Sequence, residues 1–174
     1  MSCVTLKKKS KKIYKDSVLS ETDKIFAQLR VLVVADCSNM REHLSTILKD
    51  FGIKNVTMAK CSDEGFEKLR ARDPDIILVD SEMAPKSGFA FVKELRNLET
   101  QKLSALPIIM ISGHRERELI ERARDIGVTE YLAKPVTAAS LHSRLIKTMS
   151  HPRAFIKSET FLGPDRRRRK QNAN

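Results

Sequence analysis

The sequence predicts an α/β fold with a doubly wound, five-stranded parallel sheet and helices on both faces. Two observations predict it. Short, β-branched apolar segments alternate five times with segments whose apolar residues recur at helical spacing. Each apolar segment is typical of a strand that is buried on both faces, as strands of parallel sheets are. The alternation therefore favours a parallel sheet over an antiparallel one.

The five strands are predicted from the apolar runs and their polar ends. RVLVVA and PIIMIS are the clearest runs, while the second strand is weaker. The third run, DIILVD, ends abruptly in a carboxylate. In chain order the predicted strands are Arg30–Ala35, Asn55–Ala59, Asp75–Asp80, Pro107–Ser112 and Glu130–Ala133.

Each predicted helix has a start or stop signal. Ser38 and Thr137 are suited to cap the first and last helices through their hydroxyls. Gly52 and Gly127 are suited to end helices, and Pro74 restricts the residue before it. The predicted helices begin at Ser38, Ser62, Gly88, Arg115 and Thr137. Five such units in about 120 residues, joined by right-handed crossovers, give the flavodoxin-like strand order 2-1-3-4-5.

The net charge of +11 is concentrated at the two ends of the chain. Residues 1–30 hold eight Lys/Arg against three Asp/Glu, and residues 151–174 hold seven against two, which leaves +1 for the part between. We therefore predict a basic, partly disordered N-terminal extension over 1–29, one folded domain over 30–150 and a basic C-terminal tail over 151–174.

The two tails contain runs of like charge that resist packing. KKKSKK (7–12) and RRRRK (166–170) are expected to be mobile arms. Phe155 and Phe161 precede the second run and leave two interpretations open. They belong either to a docking peptide that lies on a partner or on the domain's own surface, or to a solvated tail.

Composition favours a cytoplasmic protein. No apolar run approaches the roughly 20 residues that span a bilayer, and the N-terminal lysines lack the apolar segment of a secretory signal. Cys3, Cys37 and Cys61 fit neither a disulfide framework nor a zinc site, and we interpret them as free thiols.

Polar residues follow four of the predicted strands. Asp36, Asp80, Ser112 and Lys134 stand at or just beyond the carboxyl ends of their strands. Ligands of doubly wound sheets bind at that edge, near the point where the strand order reverses. The topology therefore predicts that the four side chains lie close together.

Residues 31–150 resemble the receiver domain of bacterial response regulators of two-component systems. The resemblance covers about two thirds of the chain. The matching segments are VLVVAD (31–36), Arg41, ILVDSEM (77–83), Gly88, PIIMISG (107–113) and GVTEYLAKP (127–135).

The resemblance implies that a histidine kinase or phosphotransfer protein phosphorylates Asp80 in a phosphorelay with the help of Mg²⁺. Asp36, Asp80 and the backbone carbonyl of Glu82 would bind the metal. A hard, octahedral ion whose shell is completed by water suits such a sparse oxygen set.

The resemblance also implies roles for the residues around the acceptor. Lys134 would pair with Asp80 and then with the phosphoryl group, and Ser112 would donate its hydroxyl to a phosphoryl oxygen. Tyr131 resembles the aromatic residue that rotates inward on phosphorylation. The Lys134–Pro135 bond is where the family commonly has a cis peptide.

The sequence departs from the family at three positions near the acceptor. Ala35 replaces the first of two acids that usually follow the first strand, which predicts weakened Mg²⁺ binding. Pro85 is displaced by one residue, and Ser112 replaces the more usual threonine. Glu82 and His114 flank the site and are candidates to tune dephosphorylation.

Each of these residues also has an interpretation without function. Asp36 can cap the helix that follows it, while Lys134 and Pro135, or Ser112, can belong to ordinary loops and turns. Tyr131 can be a half-buried aromatic residue at the edge of the sheet. What favours the functional interpretation is that the four strand-end residues occur in the expected order.

Three function classes follow. We expect a single-domain response regulator, a phosphoprotein that signals by contact with a downstream protein and has no enzyme activity beyond its own phosphotransfer and dephosphorylation. The reading surface would be formed by helix 115–126, strand 130–133 and the last helix. The second class is a degenerate receiver that binds partners without phosphorylation, which Ala35 favours. A third, less favoured class binds nucleic acid through the basic arms.

Overall fold

The structure is a computed structural model that describes residues 21–158 and 161–166. The basic run 7–12 lies outside the described residues, as does the second run after Arg166. The expectation of mobile arms therefore stays a prediction.

The predicted sheet is confirmed. Five strands form one parallel sheet with the order β2-β1-β3-β4-β5. The three central strands are almost fully buried, which explains their continuous apolar sequences. The strands are β1 (Arg30–Val34), β2 (Asn55–Ala59), β3 (Ile76–Asp80), β4 (Ile108–Ser112) and β5 (Glu130–Ala133).

All five predicted helices are present. Together with two shorter helices that the periodicity did not predict, they cover both faces of the sheet. The helices are α1 (Glu21–Gln28), α2 (Ser38–Asp50), α3 (Ser62–Arg72), α4 (Gly88–Arg96), α5 (Gln101–Ser104), α6 (Arg117–Asp125) and α7 (Ala138–Ser150). None of the helices in the described part of the chain is long and apolar enough to cross a membrane.

Two hydrophobic cores lie on opposite faces of the sheet. One packs α2 and α7 against side chains such as Val31 and Val33 of β1. The other packs α3 and α4 against Leu32 and Val34, the alternate residues of the same strand. Because neighbouring side chains of a strand point to opposite faces, one strand contributes to both cores.

Two capping predictions have different outcomes. Thr137 caps α7, with its hydroxyl accepting from the Ser140 N–H in a capping box. Ser38 does not cap α2, because Cys37 holds the N-cap position and Ser38 is the first helical residue. The prediction for Ser38 was wrong by one residue.

The helix α1 lies within the segment that was predicted as an extension. Its Phe26 is 1% exposed and lies against Phe51 and His142, with ring centroids 6.1 Å and 5.6 Å away. A buried phenylalanine adds about 2 kcal/mol of hydrophobic stabilisation. The packed unit therefore begins before residue 30.

The C-terminal segment forms a small antiparallel hairpin of β6 (Phe155–Lys157) and β7 (Leu162–Pro164). The hairpin packs on the domain's own surface, one of the two interpretations left open by the sequence. Gly163 lies so close to Gly127 that a Cβ at Gly163 would come within 2.6 Å of the Gly127 Cα. Arg153 and Arg166 add ion pairs to Glu130 (3.2 Å) and Asp125 (3.3 Å).

Arg96 joins the loops beneath this hairpin. Its guanidinium is buried and donates to the carbonyl oxygens of Gly127, Ser104 and Leu106 at 2.6–3.0 Å. Burial lowers the pKa of Arg96 to about 9, so the side chain stays charged at neutral pH. The Phe155 ring covers it, with 5.6 Å between the guanidinium carbon and the ring centroid.

Candidate functional site

The predicted strand-end residues lie at one edge of the sheet. Val34 pairs with Val79 and Asp80 with Ile111, so Asp36 emerges beside the end of β3. Ser112 pairs with Ala133, and the Lys134 N–H donates to the Ser112 carbonyl at 2.7 Å. The parallel register thus places all four residues around the point where the strand order reverses.

Asp80 is a buried carboxylate with a dedicated cation. Its side chain is 3% exposed, and the Lys134 Nζ lies 3.0 Å from Oδ1 and 2.9 Å from Oδ2. The Glu82 N–H also donates to Oδ1, at 3.1 Å. A carboxylate buried to this extent is costly unless it is paired and hydrogen-bonded. The Lys134 contact supplies that pairing.

Lys134 contacts a second carboxylate as well. Its Nζ lies 3.2 Å from Glu82 Oε2. Burial alone would lower the pKa of Lys134, but the hydrogen bonds to Asp80 and Glu82 outweigh burial and raise that pKa above its ordinary value. Lys134 is therefore a permanent positive charge at the site.

The Glu82 side chain extends across the mouth of the site. Its other oxygen, Oε1, lies 3.0 Å from His114 Nε2. Gly113 lies beside this carboxylate, and a Cβ there would meet Glu82 Oε2 at an ordinary van der Waals distance of 3.4 Å. Sequence reasoning assigned the backbone carbonyl of Glu82 to the metal and named Glu82 and His114 as flanking residues, but it did not predict the contact of the Glu82 carboxylate with Lys134. The available signal was an acid two residues beyond the strand-end Asp80.

Gly88 brings the start of α4 against the end of β3. A Cβ at Gly88 would overlap the backbone carbonyl of Asp80, and the Gly88 N–H donates to the Ser81 carbonyl at 3.1 Å. A glycine is required where backbone approaches backbone this closely. Gly88 thus fixes the loop that surrounds Asp80.

Asp36 is exposed, and its Oδ2 accepts from the Ala84 N–H at 3.0 Å. Arg41 holds the start of the loop by donating to the carbonyls of Ala35 (2.6 Å) and Asp36 (2.8 Å). Asp36 therefore ties the end of β1 to the loop after β3. The alternative role of Asp36 as a helix cap is not seen, because Cys37 holds that position.

The oxygen donors at this edge are sparse. Ala35 is fully buried and contributes no side-chain ligand. Over residues 21–158 and 161–166, no group of three or more acidic, histidine or cysteine side chains is placed to hold a metal ion. Two carboxylates, Asp36 and Asp80, remain with the Glu82 carbonyl. This donor set fits an ion such as Mg²⁺ that keeps several water ligands, and it does not fit an ion that needs a closed protein cage.

Ser112 and Tyr131 are linked through His114. The His114 N–H donates to the Ser112 hydroxyl at 3.1 Å, and the Tyr131 hydroxyl donates to the His114 carbonyl at 2.8 Å. Ser112 is buried and Tyr131 is half-buried. A change at the Ser112 hydroxyl can therefore reach Tyr131 through one backbone segment.

Two prolines near the site follow cis peptide bonds, Ala84–Pro85 and Lys134–Pro135. The second is the bond singled out in the sequence. The first was not anticipated, and it occurs at the displaced Pro85.

The arrangement pairs a buried carboxylate with a positive charge at the edge of the sheet. A carboxylate, an ammonium group and a buried hydroxyl stand at neighbouring strand ends, with the Asp36 carboxylate at the end of β1. Such a set neutralises charge on a transferred phosphoryl group, which is what phosphoryl transfer mainly requires.

Comparisons with known proteins agree with this geometry. The response regulator receiver domain family matches residues 31–146. The chemotaxis protein CheY-3 of Vibrio cholerae is 33% identical over 119 residues, which cover 68% of this chain and 90% of that protein. The chemotaxis protein CheY of Pseudomonas aeruginosa is 28% identical over 68% of this chain and 94% of that protein. The solved structure of the chemotaxis response regulator CheY4 of Vibrio cholerae superposes with a TM-score of 0.63 at 28% identity, over 68% of this chain and 97% of the other.

Proposed function

The chain belongs to the response regulator receiver domain family, and on that premise we propose that it is a phosphorylation switch that accepts a phosphoryl group on Asp80. Membership makes it a two-component signalling domain rather than a classical enzyme. The observation that carries the proposal is the buried Asp80 carboxylate, both of whose oxygens contact the Lys134 ammonium. The alternative assignments of Asp80 to a cap or turn account for neither contact.

In the proposed reaction, an Asp80 oxygen attacks the phosphorus of a donor. A bond forms between that oxygen and phosphorus, while the bond from phosphorus to the donor breaks and its electron pair leaves with the donor group. Lys134 neutralises charge on the transferred oxygens, and the Ser112 hydroxyl donates to one of them. The chain's part in the reaction is therefore mainly positioning and charge neutralisation.

Mg²⁺ is part of the proposal. Asp36, Asp80 and the Glu82 carbonyl would hold it, and the ion would supply charge neutralisation at the phosphoryl oxygens. The missing acid at Ala35 supports a lower affinity than two adjacent acids would give.

The proposed partners follow from the family and from the exposed surfaces. A histidine kinase or phosphotransfer protein would be the donor, and a downstream protein would read the surface formed by α6, β5 and α7. Tyr131 lies in this surface and is linked to Ser112 through His114, which supports its use as the reporter. A cytoplasmic location belongs to the same proposal.

A labelling experiment tests the acceptor. The full chain is incubated with acetyl phosphate and Mg²⁺, and the site is mapped by mass spectrometry. We expect the wild type to be labelled and Asp80→Asn to lose the label. Asp50→Asn, at an exposed helix end, is the matched control and should keep the label.

The remaining outcomes separate the alternatives. A label of full stoichiometry on Asp80→Asn would remove Asp80 as the acceptor. A wild-type chain that takes no label from any small phosphodonor would favour the phosphorylation-independent binding module, for which Ala35 is the motivating observation.

A further inference from the structure

A groove opens between α4, α6 and the C-terminal hairpin, and neither Asp80 nor Lys134 lines it. Its volume is about 520 Å³. Phe89, Ile126, Phe161 and Leu162 give it apolar surface, and each of the four is only half-buried. The volume is in the range of pockets that bind small ligands or a few side chains. The hairpin supplies one wall, so the groove depends on the packed tail.

Two cations without carboxylate partners line the same groove. Lys93 on α4 and Arg122 on α6 are exposed. No ion pair involves either side chain within the described parts of the chain. The groove's acid, Asp125, is paired with Arg166 at 3.3 Å, and Arg96 is occupied by backbone carbonyls. The free charge of the groove is therefore positive.

The Arg122 guanidinium is held in place by stacking. Its central carbon lies 4.8 Å from the centroid of the Phe89 ring. A stacked guanidinium keeps its N–H edge available, and that edge matches the two oxygens of a carboxylate. Apolar surface with a fixed, unpaired arginine is complementary to a hydrophobic side chain that is flanked by acids.

A nucleic acid fits the groove less well. Bases stack on open aromatic faces. One face of Phe89 is covered by Arg122 at 4.8 Å, and one face of Phe161 by Arg166 at 3.9 Å. Contacts to phosphate alone would leave the four apolar side chains exposed.

We propose that this groove binds an acidic peptide segment of a partner protein, with a Leu or Phe side chain against Phe89 and Phe161 and carboxylates on Lys93 and Arg122. The groove shares α6 with the proposed output surface, but it adds α4 and the hairpin and does not use β5 or α7. Binding there does not require phosphorylation.

The test selects peptides with the full chain as bait. A random peptide display library is panned against the wild type and, in parallel, against the double variant Lys93→Glu, Arg122→Glu. We expect the wild type to enrich peptides in which Asp or Glu flank Leu or Phe. A synthetic peptide of the enriched sequence should lose at least about tenfold in affinity for the double variant. Amide signals of α4, the end of α6 and Leu162 should shift on titration.

Matched variants make the result specific. Arg117→Glu places the same reversal on the same helix, at an exposed residue that does not line the groove and pairs with Glu121, and it should leave affinity within about twofold. The double variant Lys93→Gln, Arg122→Gln removes both positive charges without adding negative ones. It keeps the test valid if the charge-reversed variant does not fold, and it should still weaken peptide binding.

Three results would overturn the proposal. One is the absence of acidic, apolar peptides among the enriched sequences. Another is equal weakening by Arg117→Glu. The third is binding of an oligouridine that is sensitive to the Arg122 reversal while no peptide binds, which would make the groove a nucleic-acid site.

Discussion

The Lys134 ammonium is shared by two carboxylates, and this sharing sets the charge balance of the site. Asp80 and Glu82 both contact it at 2.9–3.2 Å. With Asp36 nearby, the site carries more negative than positive side-chain charge. The site is therefore suited to a cation, even though Ala35 contributes nothing to it.

Restoring the missing acid tests this balance. Ala35→Asp should tighten Mg²⁺ binding by about tenfold, because an additional carboxylate beside Asp36 holds the hydrated ion more strongly. Isothermal titration calorimetry measures the change. Ala35→Asn is the control of similar size and should change the affinity much less.

The Mg²⁺ prediction can be contradicted directly. If Ala35→Asp and the wild type share one dissociation constant, position 35 has no part in metal binding. The fully buried environment of Ala35 makes a thermal melt of each variant a necessary companion measurement.

Among single residues, the sequence predicted the side chains of the candidate site that stand at the ends of strands. Asp80 and Lys134 were expected to meet because parallel strands end at the same edge, and they do meet. Glu82 was expected beside the site, but its ion pair with Lys134 was not predicted, because the position of the Glu82 side chain depends on Lys134 and His114. Arg96 was missed because a buried arginine interrupts the apolar pattern from which helix faces are predicted.

The starts of β1 and β3 are joined by an ion pair whose contribution depends on pH. Arg30 donates to both Asp75 oxygens, at 2.7–3.1 Å. These hydrogen bonds hold the pKa of Asp75 below its ordinary value, although burial acts in the opposite direction. The ion pair therefore stabilises the folded protein at pH values above the ordinary aspartate pKa. This stabilisation is lost as the pH falls through the lowered pKa of Asp75.

Asp75→Asn should reveal this pH dependence. We expect the variant to be less stable than the wild type by about 1 kcal/mol near neutral pH, the upper end for exposed pairs. The difference should shrink below about pH 4 as the wild-type carboxylate becomes protonated. Urea unfolding over a pH series measures it. Asp50→Asn is the control, and an Asp75→Asn deficit that grows at acid pH would contradict the assignment.

The strands with continuous apolar sequences could be predicted, whereas helix α1 and the strands of the hairpin could not. β1, β3 and β4 are buried on both faces, so their sequences show where they lie. The helix α1 is only eight residues long and follows a lysine-rich segment. β6 and β7 have three residues each, too few to show a period of two, and only their packing on Gly127 and Arg96 defines them.

The hairpin extends the domain beyond the part that matches the family, which ends at residue 146. The hairpin contacts the loop before β5 through Gly127, and Arg153, which precedes the hairpin, pairs with Glu130, the first residue of that strand. Lys134, by contrast, follows the last residue of β5. The hairpin contact at Gly127 and the Lys134–Asp80 pair thus lie at opposite ends of β5.

Gly163→Val should release the hairpin from the domain. A branched side chain cannot fit where a Cβ would lie 2.6 Å from the Gly127 Cα and 2.9 Å from the Phe161 ring. We expect trypsin to cleave after Arg153 and Lys157 about tenfold faster, because local opening governs proteolysis. Ala154→Val adds volume at an exposed position of the same segment and serves as the control.

The labelling assay on Gly163→Val completes this experiment. Asp80 should accept the phosphoryl group as in the wild type, since the hairpin lies at the other end of β5. Unchanged trypsin kinetics would show that the Gly163 contact does not hold the tail.

The order of the hairpin in the chain has a consequence for synthesis. Every strand of the parallel sheet precedes β6, and chains fold from the N-terminus as they leave the ribosome. Arg96 and its carbonyl partners are therefore translated before Phe155, which covers the guanidinium in the finished protein. The residues that form the Asp80 and Lys134 pair thus also leave the ribosome before the hairpin that completes the far end of the domain.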